Sequence, residues 1–383
     1  MANTFTALIP KIIAQGLMTL RETCLMPQLV WTDFKDEVRK VGDTIDFPLP
    51  SPQAATDVEP GPTPPTNVDK TIETVPLKLD KWKKTFFHLT DKELGEIESN
   101  KFRGMQVQEA ARALANKINA DILAEYKGIY GYVGTAGTTP FATTTAAATD
   151  ARKVLARQLC PKPMRKGILN ADAEANALSL AAFQDVDKAG TDLTKREGEI
   201  GRKFGIDWFM EDAVPTHTAG TITTGLIAKA ATAVAAGLKT FLATTAASTG
   251  ACALVVGDVI AIAGHTTTYV LTAAATQASA ASDVALAFEP GLEKPLVGSE
   301  AITVKASHVA NLVFHPQAFG FANRKIDGEA FKGGNAFGQI VDPVSGIALA
   351  LEVERQHFQT TWYFSVLYGC KLLRRELGCR IAG

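Results

Sequence analysis

Six histidines, His88, His217, His265, His308, His315 and His357, are the residues of this 383-residue chain best suited to proton transfer or metal binding. They lie far apart. None forms an HExxH pattern or pairs with cysteine at a zinc-ligand spacing, so no metal site is expected. The five cysteines, Cys24, Cys160, Cys252, Cys370 and Cys379, are odd in number, dispersed and free of any CxxC spacing. They read as reduced thiols in a cytoplasm. No GxSxG elbow, Walker phosphate loop or strand-linked GxGxxG occurs. The glycine-rich run Gly333-Gly334-Asn335-Ala336-Phe337-Gly338 lacks the lysine and spacing of a phosphate cradle and reads as flexible loop. Acidic pairs such as Glu96 with Glu98, or Glu197 with Glu199, could serve acid/base work, but they sit among other charges and read as surface. The catalytic inventory is empty: no enzyme, cofactor or small-molecule substrate is expected.

One cluster remains that could touch a partner. Lys78, Lys81, Trp82, Lys83 and Lys84 group cations around an aromatic, a composition that more often marks the wet face of a strand but also suits phosphate or an acidic neighbour. We take them as the candidate inter-subunit contact. Across the whole chain 39 basic residues meet 40 acidic ones, giving a formal net charge of -1. That balance excludes a dedicated nucleic-acid reader, which carries a basic excess, and lowers repulsion between identical copies. Hydrophobic residues make up 46% and charged residues 21%, the range of packed globular proteins. Residues 1–20 do not read as a signal peptide, and no apolar run is long enough to span a membrane.

The elements that must hold the cluster follow from punctuation and period. Residues 1–32 carry short apolar groups and few charges, predicting an arm that needs a partner surface. Val41-Gly42-Asp43-Thr44 opens a strand, and seven prolines between Pro48 and Pro65 exclude a central strand there. Thr71 to His88 reads as extended again, so two strands joined by a tip are predicted. Thr90-Asp91-Lys92-Glu93 is a capping-box pattern. Val107, Ala111, Leu114, Ile118 and Ile122 then recur at helical steps up to a stop at Lys127-Gly128, with a break expected near residue 100 because of Gly95 and Gly104. An α/β unit follows: helix to about Gln158, strand Gly167 to Asn170, helix Asp172 to Phe183, exposed loop Lys195 to Gly201, and strand Phe204 to Met210. From residue 218 to Ser307 only nine of ninety residues are charged, which marks an inserted module. Short strands are expected at 253–256, 259–263, 269–272, 284–288 and 302–305, with Ala228 to Leu238 ambiguous between helix and strand. Gly42-Asp43 and Gly257-Asp258 read as turn chemistry. After the module come a strand Asn311 to Phe314, a helix Pro316 to Arg324, and strands Ile347 to Val353 and Trp362 to Tyr368.

In this order the segments resemble the major capsid proteins of tailed phages with the Hong Kong 97-type fold, and within them the coat family typified by Salmonella podophage twenty-two. The resemblance rests on Leu8-Ile9-Pro10-Lys11-Ile12-Ile13-Ala14, Val41-Gly42-Asp43-Thr44, Gly257-Asp258-Val259-Ile260-Ala261-Ile262-Ala263-Gly264, Asn311-Leu312-Val313-Phe314-His315-Pro316-Gln317-Ala318-Phe319 and Leu367-Tyr368-Gly369 followed by Leu373-Arg374. It implies an α+β capsid fold with an N-terminal arm (1–32), an extended loop hairpin (33–90) and a spine helix in the peripheral domain (91–127). An axial domain would take 128–217 and 308–345, an inserted β-barrel-like domain 218–307, and peripheral strands 346–383. The Ala/Thr runs at 228–250 and 272–282 depart from the family and leave barrel closure open. Implied partners are the chain itself in pentamers and hexamers, a scaffolding protein, a portal and non-specifically packaged DNA. The implied place is a virion capsid built in a bacterial cytoplasm, with no membrane. The rival classes are an encapsulin-type compartment shell and a tail or surface adhesion protein.

Overall fold

The structure, a computed structural model, describes residues 9–32, 44–49, 73–96, 99–184, 200–222, 225–229, 233–245, 252–277, 283–325, 336–341 and 346–383. Helix α1 (Ile9–Thr23) and the short α2 (Met26–Leu29) lead the described chain. Ile13, Leu17 and Leu20 of α1 are buried in the main core, packed with the long helix that follows. Over 9–32, Ile13, Leu17, Leu20, Met26, Leu29 and Val30 find the partner surface they need within their own chain.

Strands β1 (Thr44–Leu49) and β2 (Glu73–Lys78) form an antiparallel hairpin in which Ile45 faces Leu77. Its base is anchored. Ile45, Leu77 and Leu79 bury against Ala322 and Leu373, with Trp31 edge-on to Phe47 at 4.8 Å. The proline-rich tip lies outside the described residues. Strand β3 (Lys81–Thr90) hands over to α3 (Asp91–Glu96) through the predicted capping box, in which Thr90 N donates to Glu93 Oε2 at 2.8 Å and Glu93 N to Thr90 Oγ1 at 3.3 Å. Helix α4 (Ser99–Leu123) buries the predicted stripe Val107, Ala111, Leu114, Ile118 and Ile122, and a 3-10 turn ends it at Gly128.

The α/β unit comprises β4 (Gly131–Gly134), α5 (Ala146–Arg157), β5 (Arg165–Leu169), α6 (Ala171–Ser179), α7 (Ala181–Gln184), β6 (Gly201–Lys203), β7 (Ile206–Met210) and β8 (Thr216–His217). Asn170 caps α6 by accepting from Ala173 N at 3.3 Å. The inserted module holds β9 (Thr221–Ile222), β10 (Leu226–Ala228), β11 (Thr240–Thr245), β12 (Cys252–Leu254), β13 (Val259–Ile262), β14 (Thr268–Leu271), β15 (Ala275–Gln277), β16 (Val284–Glu289) and β17 (Ala301–Val304). Six of these close into a barrel in the order β10-β11-β16-β14-β13-β17, and β15-β12-β9 form a small sheet beside it. Closure follows from alternation: Phe241, Ala243, Leu286 and Phe288 point inward, while Thr240 and Leu242 face water. Among the described residues of the Ala/Thr runs, Ala233, Ala235, Ala236 and Thr240 face water, while Ala228, Ala243, Thr245 and Ala275 are buried. No helix forms over the described part of 228–238.

The chain then runs through β18 (His308–Phe314), β19 (Phe319–Arg324), β20 (Ala336–Val341), β21 (Ala348–Gln356), β22 (Gln359–Leu372) and β23 (Gly378–Ala382). A seven-stranded mixed sheet orders β4-β23-β18-β5-β7-β6, with β8 on β18. The second sheet orders β19-β22-β21-β20 and adds β3 along β22. Three expectations are corrected here. The helix expected at 316–324 is only the turn Pro316–Ala318, because Phe319-Gly320-Phe321 pairs with β22 and a side chain at Gly320 would strike Leu373 and Leu77. The boundary at 345/346 does not separate the sheets, since β19 and β20 join β21 and β22 while β23 joins the other sheet. Within the glycine-rich run, 336–338 lie in β20 rather than a loop, and 333–335 lie outside the described residues.

Candidate assembly surface

Strand β3 pairs with β22 over its whole length, Lys81 facing Tyr368 and Thr90 facing Gln359. Successive side chains therefore take opposite faces of the sheet. Phe87 and Leu89 turn inward, and Phe87 stacks on Trp362 at 5.0 Å. Trp82, Lys84, Phe86 and His88 turn outward and are exposed.

This alternation divides the five candidate residues. Lys81 lies within its own subunit: Nζ is 3.0 Å from Cys370 Sγ and 3.9 Å from Asp121 Oδ2. Burial works against its ammonium, but the Cys370 hydrogen bond and the Asp121 and Glu125 charges outweigh it and hold Lys81 above its ordinary range. Burial likewise raises Asp121, but hydrogen bonds from Lys117 and Tyr368 win and hold it below the usual carboxylate range. Lys81 thus joins β3, α4 and β22 within the chain. Lys83 is half-buried, and Lys78 is exposed at the end of β2, opposite Thr44. Only Trp82 and Lys84 share the outward face.

Residues from other strands complete that face. Trp82 is 58% exposed and Phe86 59%, and Phe86 meets Tyr363 at 5.9 Å between ring centroids. Lys84 Nζ sits 5.5 Å from the centre of the Tyr363 ring. Beside them lies an open cavity of about 550 Å³ lined by Trp82, Lys84, Glu352, Glu354, Tyr363 and Ser365. Tyr363 OH donates to Glu354 Oε2 at 3.2 Å. The surface offers one cation, two carboxylates and the aromatic area that protein contacts favour. Phe86 was legible from the two-residue period of β3; Glu352, Glu354 and Tyr363 reach the site only through strand pairing, which leaves no local signal.

A second constellation seats the barrel. Arg380 is wholly buried, donating from Nη1 to Gly257 O at 2.9 Å and from Nη2 to Lys127 O at 3.1 Å, with its guanidinium 4.9 Å from the Tyr126 ring centre. Tyr126 OH lies 3.0 Å from His217 Nδ1, and His217 Nε2 lies 2.9 Å from Asp258 Oδ1. Strand β8 pairs with β18 so that His217 faces His308, and the two ends of the insertion leave the sheet side by side. The Gly257-Asp258 step is therefore more than a turn, because its carboxylate is the buried anchor. Among the described residues no group of three His, Cys, Asp or Glu is arranged to hold a metal ion, and no helix is long and apolar enough to cross a membrane.

The chain is thus an α+β fold of two sheets sharing one core, with a hairpin at one margin and a barrel set on the other sheet. No family model matches it, and no curated protein matches it. Its fold is similar to solved structures described as Mycobacterium phage Che8 (12% identity, TM-score 0.47, 94% of this chain and 90% of that one) and the capsid of the cyanophage P-SCSP1u (14%, 0.46, 92% and 88%). It is also similar to the capsid of a native GTA particle (9%, 0.47, 94% and 90%).

Proposed function

We propose that this chain is the major coat protein of a tailed double-stranded DNA phage, assembling as pentamers and hexamers into an icosahedral shell around the genome. One observation carries the reading: a hairpin, a long helix, an α/β sheet and a closed barrel inserted between paired strands follow one another in the order that the coat-family resemblance implies. The hairpin is the element that overlaps a neighbour, and Lys78, Lys83, Lys84 and Trp82 belong to the contact zone at its base. Partners are further copies, a scaffolding protein and a portal. DNA is enclosed rather than read, in keeping with a net charge of -1. The site of action is the virion, built in the host cytoplasm. The barrel inserted at 218–307 argues against the rival reading of an encapsulin-type shell.

Sedimentation and negative-stain imaging of the expressed protein, alone and with its scaffolding partner, test the proposal. Closed shells are expected. Compact monomers under every condition overturn it.

A further inference from the structure

The second sheet ends in two margins that no described strand covers, since β3 pairs only with β22 and β20 only with β21. Natural proteins blunt such margins with prolines, bulges or solvated charges. The β1–β2 hairpin follows that rule: Pro48 and Pro76 stand in its two strands, where proline is tolerated with its missing N–H at the outer edge. Strand β3 does not. It pairs with β22 over ten successive residues without proline or bulge. Its lysines are engaged within the chain or turned from the edge, for Lys81 bonds to Cys370, Lys83 is half-buried and Lys84 lies over the Tyr363 ring. Strand β20 carries no charged residue.

The two margins fit each other. Every pairing from β3 through β22 and β21 to β20 is antiparallel, so β3 and β20 run in opposite senses, and a second copy's β3 set beside β20 continues the alternation. The rows Phe337–Glu352–Tyr363–Phe86 and Gln339–Ala350–Ser365–Lys84 place Phe337, Gln339 and Val341 on the same face as Trp82, Lys84 and Phe86. One register then sets Phe337 opposite Phe86, Gln339 opposite Lys84 and Val341 opposite Trp82. Aromatic pairs and aromatic with β-branched pairs are those that stabilise antiparallel strands. A shift of two residues puts Phe337 against Lys84 or His88 and loses the aromatic pair. Within one copy three strand spacings, about 14 Å, hold the margins apart, so a copy cannot join its own. Pairing β3 with a second β3 sets one lysine-bearing strand against another, whereas β20 opposes no charge to it. A contact between two different edges of one chain is head-to-tail, and it closes into a ring when the rotation per copy allows.

We infer that β3 of one copy pairs with β20 of the next, continuing the sheet from copy to copy around a ring. This rests on the coat-protein reading and names one contact within its pentamers and hexamers. Two populations test it, one carrying Lys84→Cys and the other Gln339→Cys, mixed before assembly and then oxidised; the five native cysteines are all buried and do not compete. Disulfide-linked heterodimers are expected, with few dimers from either population alone. Gln339→Lys, which sets a cation opposite Lys84, should cut ring and shell yield about tenfold, and adding Lys84→Glu in the same chain should restore it. If Gln339→Lys unfolds the subunit, the crosslink alone decides. Shells without heterodimers overturn this contact and leave the coat-protein reading intact. Heterodimers without shells support the contact and count against that reading. Dimers from the Lys84→Cys population alone show β3 meeting β3 and overturn the head-to-tail contact, and absence of both heterodimers and shells overturns both.

Discussion

His217 Nε2 lies 2.9 Å from Asp258 Oδ1, joining the strand that leaves the body to a turn of the barrel that strand leads into. Both side chains are buried, and Asp258 also accepts from the N–H groups of Gly220 and Val255 at 3.2 and 2.8 Å. Asp258→Ala should therefore cost about 3–5 kcal/mol, since it leaves buried donors without an acceptor. Asp258→Asn, which keeps the shape and one acceptor, should cost less. Urea unfolding followed by Trp fluorescence measures both, and an alanine variant as stable as the wild type refutes the anchor.

Acid should weaken the same seam. Burial, with Arg380 and His217 nearby, depresses His308 to about 4 from an ordinary 6.5, against the opposing hydrogen bond to Ala306 O. A base depressed on folding takes up its proton more readily when unfolded. Its contribution is complete above pH 6.5 and is lost as the pH falls through about 4. Within that window the unfolding free energy should drop by at most about 1.4 kcal/mol per pH unit from this group. Histidine NMR titration should show His308 neutral at pH 5.5; a charged imidazolium there contradicts the assignment.

Two neighbours on β3 should behave in opposite ways. Trp82→Ala changes an outward side chain and should alter subunit stability by no more than about 0.5 kcal/mol while reducing shell yield. Lys81→Ala removes a partner of both Asp121 and Cys370 and should destabilise the isolated subunit by about 1–3 kcal/mol. Thermal unfolding of subunits, set beside particle yield on a gradient, separates the two. Equal effects of both variants on stability would contradict this division of faces.

The hairpin should matter more to assembly than to folding. Its base is buried through Ile45 and Leu77, whereas Gln53 to Asn67 carry four of the seven prolines. A short Gly/Ser link in place of 53–67 should leave the melting temperature within a few degrees and abolish shells. Normal shells from the shortened chain, or an unfolded subunit, each defeat this expectation.

What could be read from the chain was local. The capping box at Thr90 and Glu93, the stripe from Val107 to Ile122, and strands β13, β14 and β16 declare themselves within a few residues. Strand β19 did not, because Phe319 to Arg324 contain no alternation of polar and apolar residues and take their form from pairing with β22. The allocation of strands to sheets was invisible for the same reason: β3 and β22 meet across more than 250 residues of chain. Of the five candidate contact residues, Trp82 and Lys84 face outward together, while the partners of Lys81 within the chain, Asp121 and Cys370, come from distant elements and left no local signal. Asp258 looked like an ordinary turn residue because the histidine it holds lies across the seam.

The chain passes between its two sheets along two short adjacent tracks, Pro316–Ala318 and Leu373–Leu377, and these are stitched together where Leu373 and Arg374 both donate to Ala318 O at 2.8 and 3.2 Å. Two parallel ties bonded to each other resist shear and twist in a way that a single tether does not. A pull on the hairpin base, where Leu373 buries against Leu77, is delivered along these tracks into β18 and β23, the strands beside which the barrel is seated. The hairpin base and the seat of the barrel are thus coupled through one short, doubly hydrogen-bonded stretch of backbone.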